Sequence, residues 1–382
     1  MDQNQARSLV VGAGIGGLAC ALALEKAGHR PIVFERGSEL REVGAGLLLA
    51  ANAVRALRML GVADRVIEQS VVGGEGEMRA ADGRVLKRVA LSELRRVTGE
   101  DAVCALRHVL HGALADALTT SEIRTDARVT GFTQDESGVR GQLEDGTEVS
   151  GSLLVAADGI HSIVRAKLHG DALRPSGLVA YRGVCRGATW SSTGSQYFGR
   201  AVEAGVARAN ADSIYWYVST KRERVDAALD AKRGALEVAR PLDPALTGLI
   251  ERTEPRDVRY DELFDREPLR AWGQGRVTLL GDAAHPMLPH AGQGAAQALE
   301  DAVVLGRCLA ITADVQEGLR RYERARMPRT AQIVQMSRRN SNVSRIESRW
   351  LCNLRDWALA HGPAWLLEKQ LVALARVDLE RV

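Results

Sequence analysis

The chain has 382 residues, of which 46% are hydrophobic, 26% charged and 4% aromatic. This composition excludes a disordered chain, a collagen-like repeat and a small disulfide scaffold. The formal charge of +3, from 51 basic and 48 acidic residues, gives no electrostatic reason to expect a nucleic-acid partner. At this length we expect one large domain with a second lobe, or two domains.

The five cysteines are an odd number and include no CxxC pair. This pattern argues against a disulfide framework and against a dithiol redox centre. The short polar start of the sequence is typical of neither a signal peptide nor a transit peptide, and no uncharged apolar stretch is long enough to span a bilayer. We therefore expect a cytoplasmic protein.

The chain opens with a β-α-β pattern in which residues 9–11 and 31–34 are buried strands. Between them, Gly12, Gly14 and Gly17 have G-x-G-x-x-G spacing. These glycines permit a tight turn, a close approach of the backbone to a pyrophosphate, and close packing of the helix on the strand. The N–H groups at the start of the helix then face the phosphates. The opening unit therefore predicts a dinucleotide site.

Glu35 ends the second strand, 18 residues after Gly17. A carboxylate at this position can accept hydrogen bonds from ribose hydroxyls, which favours a free 2′-hydroxyl and hence NAD or FAD over NADP. The opening pattern alone does not separate NAD from FAD.

Further along the chain, Asn52 is a candidate N-cap for a helix that stops at Gly61, and another amphipathic helix starts near Arg107. Residues 129–149 have the pattern of strands, and residues 177–218 are rich in β-branched and aromatic residues. The chain after Asp301 reads as helix, with one break at Gly362-Pro363.

Two later apolar strands each end in a short acidic motif. Residues 153–157 run into Asp158-Gly159, and residues 276–280 run into Gly281-Asp282. Carboxylates at the carboxyl ends of strands can accept hydrogen bonds from ligand hydroxyls, and ligands of α/β sheets gather at that edge.

With the glycine fingerprint, these two motifs resemble the single-component FAD-dependent aromatic monooxygenases, the flavoproteins similar to para-hydroxybenzoate hydroxylase and salicylate hydroxylase. The resemblance extends from the N-terminus to about Arg329. It implies that Glu35 binds the adenosine ribose, that Asp282 binds the ribityl chain of FAD, and that Asp158 and Gly159 serve both FAD and the nicotinamide donor.

The resemblance also places Arg107 and the loop of residues 44–47, which includes Gly44, beside the flavin. It implies that the glycine-rich stretch of residues 289–296 holds the carbonyl edge of the flavin with backbone N–H groups. The complete predicted cofactor set is Gly12, Ala13, Gly14, Ile15, Gly16, Gly17, Glu35, Arg36, Gly46, Leu47, Arg107, Val129, Asp158, Gly159, Asp282, Pro289, Gly292, Gly294 and Ala295.

The implied fold is α/β: a Rossmann-like FAD-binding domain, a β-rich substrate lobe and a C-terminal helical segment. We predict that residues 1–70, 101–175 and 273–330 form the discontinuous FAD-binding domain, that residues 71–100 and 176–272 form the substrate lobe, and that residues 331–382 form the C-terminal helices.

The implied activity is hydroxylation of a small aromatic or heteroaromatic substrate through a flavin hydroperoxide, with FAD bound and with NADH or NADPH and molecular oxygen consumed. An epoxidase or an alkylquinolone-type hydroxylase on the same fold is one alternative. A non-oxygenating FAD-binding reductase or binding module is another.

Candidate pocket residues come from the β-rich lobe and from the stretch after Asp282. They are Tyr181, Arg182, Tyr215, Tyr217 and His290, of which Arg182, Tyr217 and His290 are the candidate catalytic side chains. Tyr215 and Tyr217 share one face of a strand, opposite Trp216, so the pair could point into a pocket or belong to the core. For any one of these candidates the core is the safer expectation. We predict no metal site, since the pairs His108 with His111 and His285 with His290 each lack a third ligand.

The C-terminal stretch carries Trp350, Leu354 and Trp357 at helical spacing, with Trp365 beyond the Gly-Pro break. We expect a helix that packs over the first domain, with a basic amphipathic contact to a membrane or to a second subunit as the alternative. The protein is expected to be a monomer or a homodimer.

Overall fold

The computed structural model describes residues 7–40, 45–90, 95–96, 98–377 and 379, without the side chains of residues 364, 366–368 and 370. The strands, in chain order, are β1 (Arg7–Val11), β2 (Arg30–Phe34), β3 (Gly46–Leu49), β4 (Val71–Val72), β5 (Glu75–Ala80), β6 (Val85–Ala90), β7 (Val103–Leu106), β8 (Glu122–Arg124), β9 (Val129–Gln134), β10 (Val139–Leu143), β11 (Glu148–Gly151), β12 (Leu153–Ala156), β13 (Arg174–Arg186), β14 (Gly194–Phe198), β15 (Val202–Arg208), β16 (Ser213–Lys221), β17 (Val258–Asp265) and β18 (Val277–Leu279).

The α-helices are α1 (Ile15–Lys26), α2 (Ala51–Leu60), α3 (Ala63–Glu68), α4 (Arg107–Asp116), α5 (Ile163–His169), α6 (Ala231–Ala239), α7 (Pro244–Arg252), α8 (Gly294–Ala310), α9 (Val315–Ser341), α10 (Arg349–His361) and α11 (Ala364–Ala375).

A five-stranded sheet in the order β18-β12-β1-β2-β8 positions the predicted cofactor residues. Its neighbouring strands all pair in parallel, and its apolar runs are buried against α1, which packs on α8, and against the strands β9–β11. Because the strands are parallel, their carboxyl ends meet at one edge. The predicted α/β fold with a Rossmann-like sheet is confirmed.

A seven-stranded sheet in the order β17-β13-β16-β15-β14-β5-β6 forms the β-rich part. One of its faces packs on α6 and α7 around Trp216, Leu246 and Ile250. β4, just inside the predicted lobe boundary at residue 71, pairs instead with β7 in a three-stranded sheet with β3. The division into domains stays a prediction.

The chain after Asp301 is more interrupted than predicted. α8 and α9 are separate helices, α9 continues through Pro328, and a 3₁₀ turn over Val343–Arg345 precedes α10. α10 packs against β6 and the turn after β14, whereas α11 contacts α2. The expected packing on the first domain thus applies to α11 and is wrong for α10.

The predicted cap at Asn52 is also wrong. α2 begins at Ala51 with Ala50 at the N-cap position, and Asn52 lies buried inside the helix. Its amide nitrogen donates to Gln293 and Glu300 on the neighbouring chain segment. The helix begins too early for Asn52 to cap it, and Asn52 instead forms tertiary hydrogen bonds through its amide nitrogen.

Among the helices of the described part of the chain, none combines the length and the apolar character needed to cross a bilayer.

Candidate active site

The turn between β1 and α1 is closed on one side and open on the other. Gly12 has a φ of +96°, and a Cβ on Gly17 would lie 1.8 Å from the carbonyl oxygen of Gly12, so neither position accepts a side chain. A Cβ on Gly14, by contrast, would meet no protein atom within 4 Å. The N-terminal end of α1 therefore faces open space at Gly14, as a phosphate site requires.

Glu35 follows β2 at the same edge and organises this turn. Its Oε2 accepts the N–H of Ala13 at 3.0 Å, and its Oε1 accepts the N–H of Gly37 at 2.9 Å. Each carboxylate oxygen keeps a further lone pair for a ligand hydroxyl. Arg36 is exposed beside it, and Val129 is buried at the start of β9.

Asp158 follows β12, where one of its oxygens has no partner. Its Oδ2 accepts the N–H of Ile163 at 3.0 Å at the start of α5, while its buried Oδ1 accepts no hydrogen bond. Burial raises the pKa of Asp158. An unsatisfied buried oxygen at a sheet edge is unfavourable unless a ligand supplies the donor.

We call the open region at the carboxyl edge of the five-stranded sheet the recess. Asp282 follows β18 at this edge. Its side chain is solvent-accessible, yet protein surrounds it closely enough that the loss of water raises its pKa, against the opposing charges of His285 and Arg107. Such a carboxyl group fits ligand hydroxyls that approach through the open side.

The stretch after Asp282 presents backbone to the same open side. Residues Pro289–Ala291 form a 3₁₀ turn that ends at Gly292, whose φ is +60°, and α8 begins two residues later. A Cβ on Gly292 or on Gly294 would meet nothing within 4 Å. The first N–H groups of α8 therefore border open space.

Arg165 joins the two acidic motifs. Its buried guanidinium donates to the carbonyl oxygens of Ala283 and Ala284 at 3.0 and 2.7 Å, and it pairs with Asp171. The helix after Asp158 is thus tied to the turn that carries Asp282. The sequence pattern includes Arg165 but gives no sign of this link.

β3 brings the predicted flavin-side loop against the seven-stranded sheet. A Cβ on Gly46 would lie 2.6 Å from the Cβ of Tyr215, so only glycine fits there. Leu47 is half-buried against the core, and the N–H of Arg107 donates to the carbonyl of Ala45 at 3.2 Å. Gly44 lies outside the described residues.

The pocket candidates divide between the two faces of the seven-stranded sheet. Arg182, Tyr215 and Tyr217 share the face that meets β3 and β7, since Tyr217 lies opposite Arg182 in the register. Tyr181 was predicted beside Arg182 but is 2% exposed in the core on the other face. The expectation that it lines the pocket is wrong because neighbouring residues of a strand alternate.

A buried charge cluster behind the recess is absent from the predicted site. Arg326 of α9 pairs with Glu300 at 2.5 Å and with Asp301 at 2.7 Å, Arg329 pairs with Glu300, and His285 contacts Asp301 at 2.5 Å. Two acids inside the otherwise apolar stretch of α8 are the sequence signal that could have revealed it.

Comparison with known proteins agrees with this geometry. The chain matches the FAD binding domain family over residues 5–337. It is 35% identical to the aurachin C monooxygenase/isomerase of Stigmatella aurantiaca, over 91% of this chain and 92% of that protein. It is 34% identical to 3-hydroxybenzoate 6-hydroxylase 1 of Aquipseudomonas alcaligenes, over 86% and 87% of the two chains.

The crystal structure of Klebsiella pneumoniae HpxO complexed with FAD and uric acid is similar, with a TM-score of 0.89, 26% identity and 98% of each chain covered. The fold and these relatives define a flavoprotein hydroxylase. The chain belongs to the FAD binding domain family, within the single-component FAD-dependent aromatic monooxygenases. The predictions of this family, of the enzyme class and of FAD as cofactor are confirmed.

Proposed function

We propose that the protein hydroxylates a small aromatic or heteroaromatic molecule. The reaction takes place in the recess between the carboxyl edge of the five-stranded sheet and the polar face of the seven-stranded sheet. NADH or NADPH is the electron donor, and molecular oxygen is the cosubstrate. The observation that supports this location is the recess itself. It carries the accessible carboxyl of Asp282, the unpartnered Oδ1 of Asp158 and backbone open at Gly14 and Gly292.

When bound, FAD supplies the redox and oxygen chemistry. In our proposal the turn of residues 12–17 binds the pyrophosphate, Glu35 binds the adenosine ribose, and Asp282 binds the ribityl hydroxyls. The start of α8 holds the electron-rich edge of the flavin with N–H groups. Arg107, whose charge acts on Asp282, lies in the same region. The remaining predicted cofactor residues stay predictions.

The substrate side of the recess has the groups to hold and orient a ring. Tyr217 and Arg182 line the sheet face, and His290 projects from the turn opposite. Burial lowers the pKa of His290, so its imidazole is neutral at pH 7. Its buried Nδ1 has no partner. We assign to it the task of accepting or holding a proton from a substrate hydroxyl.

The activity is tested with purified protein. We expect a yellow protein with about one FAD per chain, and oxygen uptake with NADH or NADPH that one member of a panel of phenols, hydroxybenzoates and quinolones accelerates. A colourless protein that also refuses added FAD would contradict the proposal. If no compound accelerates NAD(P)H oxidation, a non-oxygenating flavoprotein is the better description.

The cytoplasmic location and the assembly as monomer or homodimer stay predictions. The side chains of Trp350, Leu354 and Trp357 on α10 are exposed and could contact a subunit or a membrane. Light scattering with and without liposomes tests both contacts, because it measures the oligomeric state and the binding to liposomes.

A further inference from the structure

The polar face of the seven-stranded sheet is built around a carboxylate. The register places Glu203 of β15 opposite Ser219, two residue pairs along from Gly205 and Tyr217 and therefore on the same face. A Cβ on Gly205 would lie 2.2 Å from Cε1 of Tyr217, so the missing side chain lets the ring lie across β15. The Tyr217 hydroxyl thereby reaches Oε1 of Glu203 at 3.2 Å.

Apolar contacts close this face on both sides. At one end Val184 packs with Leu106 and Val109, and at the other end Ala180 packs with Leu288 and Leu263. Arg182 and Tyr217 lie between these contacts, and Glu203 lies level with Ala180 in the register. The charges of Glu203 and Arg182 both act on the His290 ring. The shared face of the sheet therefore brings Glu203, Tyr217 and Arg182 to the substrate side of the recess that we propose.

Glu203 is 5% exposed and is held by neutral donors. Gln196 Nε2 donates to Oε1 at 2.7 Å, the Tyr217 hydroxyl donates to the same oxygen, and the Ser344 hydroxyl donates to Oε2. Within the described part of the chain, no basic side chain forms an ion pair with it. A buried carboxylate without a cation is unfavourable, and its two oxygens can accept about four hydrogen bonds.

The nearby arginines already have partners. Arg182 pairs with Asp261 at 2.8 Å, and Arg345 donates to the carbonyl oxygen of Ser176 at 2.5 Å. A benzoate carboxylate beside Glu203 would therefore meet a buried negative charge that neither arginine offsets by an ion pair with Glu203.

We propose that Glu203 determines specificity by accepting a hydrogen bond from a ring N–H or amino group of the substrate. The enzyme then selects nitrogen heteroaromatic substrates and rejects benzoate-type acids. This inference rests on the proposed function, because it concerns the substrate side of the same recess.

The test uses FAD-loaded protein and measures ligand binding by the change in flavin absorbance. The probes are 4-quinolone, N-methyl-4-quinolone and 3-hydroxybenzoate. We expect 4-quinolone to bind at least about tenfold more tightly than the other two, since each lacks the N–H and one carries a carboxylate. In Glu203→Gln, 4-quinolone should bind about tenfold more weakly while 3-hydroxybenzoate binds more tightly.

Changes of opposite sign separate specificity from structural damage, which would weaken both probes. Glu77→Gln is the matched control: Glu77 is also buried, at 7% exposure, and lies on the other face of the same sheet. The ratio of the dissociation constants for 4-quinolone and 3-hydroxybenzoate should be the same in Glu77→Gln as in the wild type. If the Glu203 variant does not fold, the comparison of 4-quinolone with its N-methyl form in the wild type still tests whether the recess recognises the ring N–H. Equal binding of the two probes would overturn the proposal.

Colourless protein would contradict the proposed function before any titration. Yellow, oxygen-consuming protein that does not bind 4-quinolone, that prefers 3-hydroxybenzoate, or whose Glu203→Gln form loses both probes equally would overturn the role of Glu203 alone.

Discussion

Asp158 and Asp282 occupy equivalent places at the ends of two neighbouring strands, and the loss of surrounding water raises the pKa of both. Asp158 keeps one buried oxygen without a donor, and Asp282 keeps an accessible carboxyl group. Asp145, in an exposed turn, accepts the N–H of Thr147 at 2.8 Å, which helps to lower its pKa. The contrast between these aspartates is that between a carboxyl placed for a ligand and one that closes a turn.

Asp282→Ala should therefore weaken FAD binding about 100-fold, because about 3 kcal/mol of charge-assisted hydrogen bonding to hydroxyls is lost. The measurement is the FAD content after gel filtration, followed by titration of the apoprotein. Asp145→Ala is the control and should retain its flavin. Unchanged flavin content in Asp282→Ala would refute the assignment.

At the scale of elements, the β1–α1 turn separates two roles of glycine. In Gly14→Ala the new methyl group meets no protein atom within 4 Å, so the apoprotein should keep its stability while FAD binding weakens. In Gly17→Ala the methyl group would lie 1.8 Å from the Gly12 carbonyl oxygen, which should lower the free energy of unfolding by about 1–3 kcal/mol. Urea unfolding of both apoproteins and FAD titration distinguish the two, and equal destabilisation would contradict this explanation.

The α8–α9 contact depends on its buried charges. Burial pushes the pKa values of Glu300 and Asp301 upward, but the charges of Arg326, and of His285 beside Asp301, outweigh burial and hold both values below normal. Arg326→Met leaves two buried carboxylates without this partner and should lower the free energy of unfolding by about 3–5 kcal/mol at pH 7.

The same pair predicts a pH dependence. A lowered folded-state pKa gives stability that is complete above the unfolded values, near pH 4, and that is lost as the pH falls through the folded values. The gap between the wild type and Arg326→Met should therefore narrow as the pH falls below about 4 in urea unfolding. Arg321→Met, on the exposed side of α9, should change stability by less than about 0.5 kcal/mol. A gap that stays constant over this range would argue against the charge explanation.

Local patterns predicted the strand ends well. Glycines and acids that directly follow apolar runs mark the carboxyl edge of the sheet, where we propose that the cofactor lies, without knowledge of the tertiary structure. Glu203 could not be assigned this way, because its donors Gln196, Tyr217 and Ser344 come together only through strand register and a contact across 141 residues. The prediction of an N-cap at Asn52 was wrong for the same reason, since the hydrogen-bond partners of Asn52 lie more than 240 residues away.

At the scale of the whole molecule, the recess is assembled from segments that are distant in sequence, so a bound cofactor holds several elements together. FAD at 100 times its dissociation constant should add about 2.7 kcal/mol to the stability. We expect the Tm to rise by roughly 3 °C between apoprotein and holoprotein. Thermal unfolding followed by circular dichroism measures the shift, and an unchanged Tm in yellow protein would contradict a cofactor that bridges these segments.

Ser344 lies later in the chain than all of the residues that we assign to the cofactor. The residues that we assign to the cofactor end at Ala295, whereas the hydroxyl that completes the Glu203 cluster comes from the turn after α9. Synthesis proceeds from the N-terminus, so the ribosome releases every cofactor contact before the last contact of the substrate pocket. The substrate side of the recess that we propose therefore depends on a later part of the chain than the cofactor side.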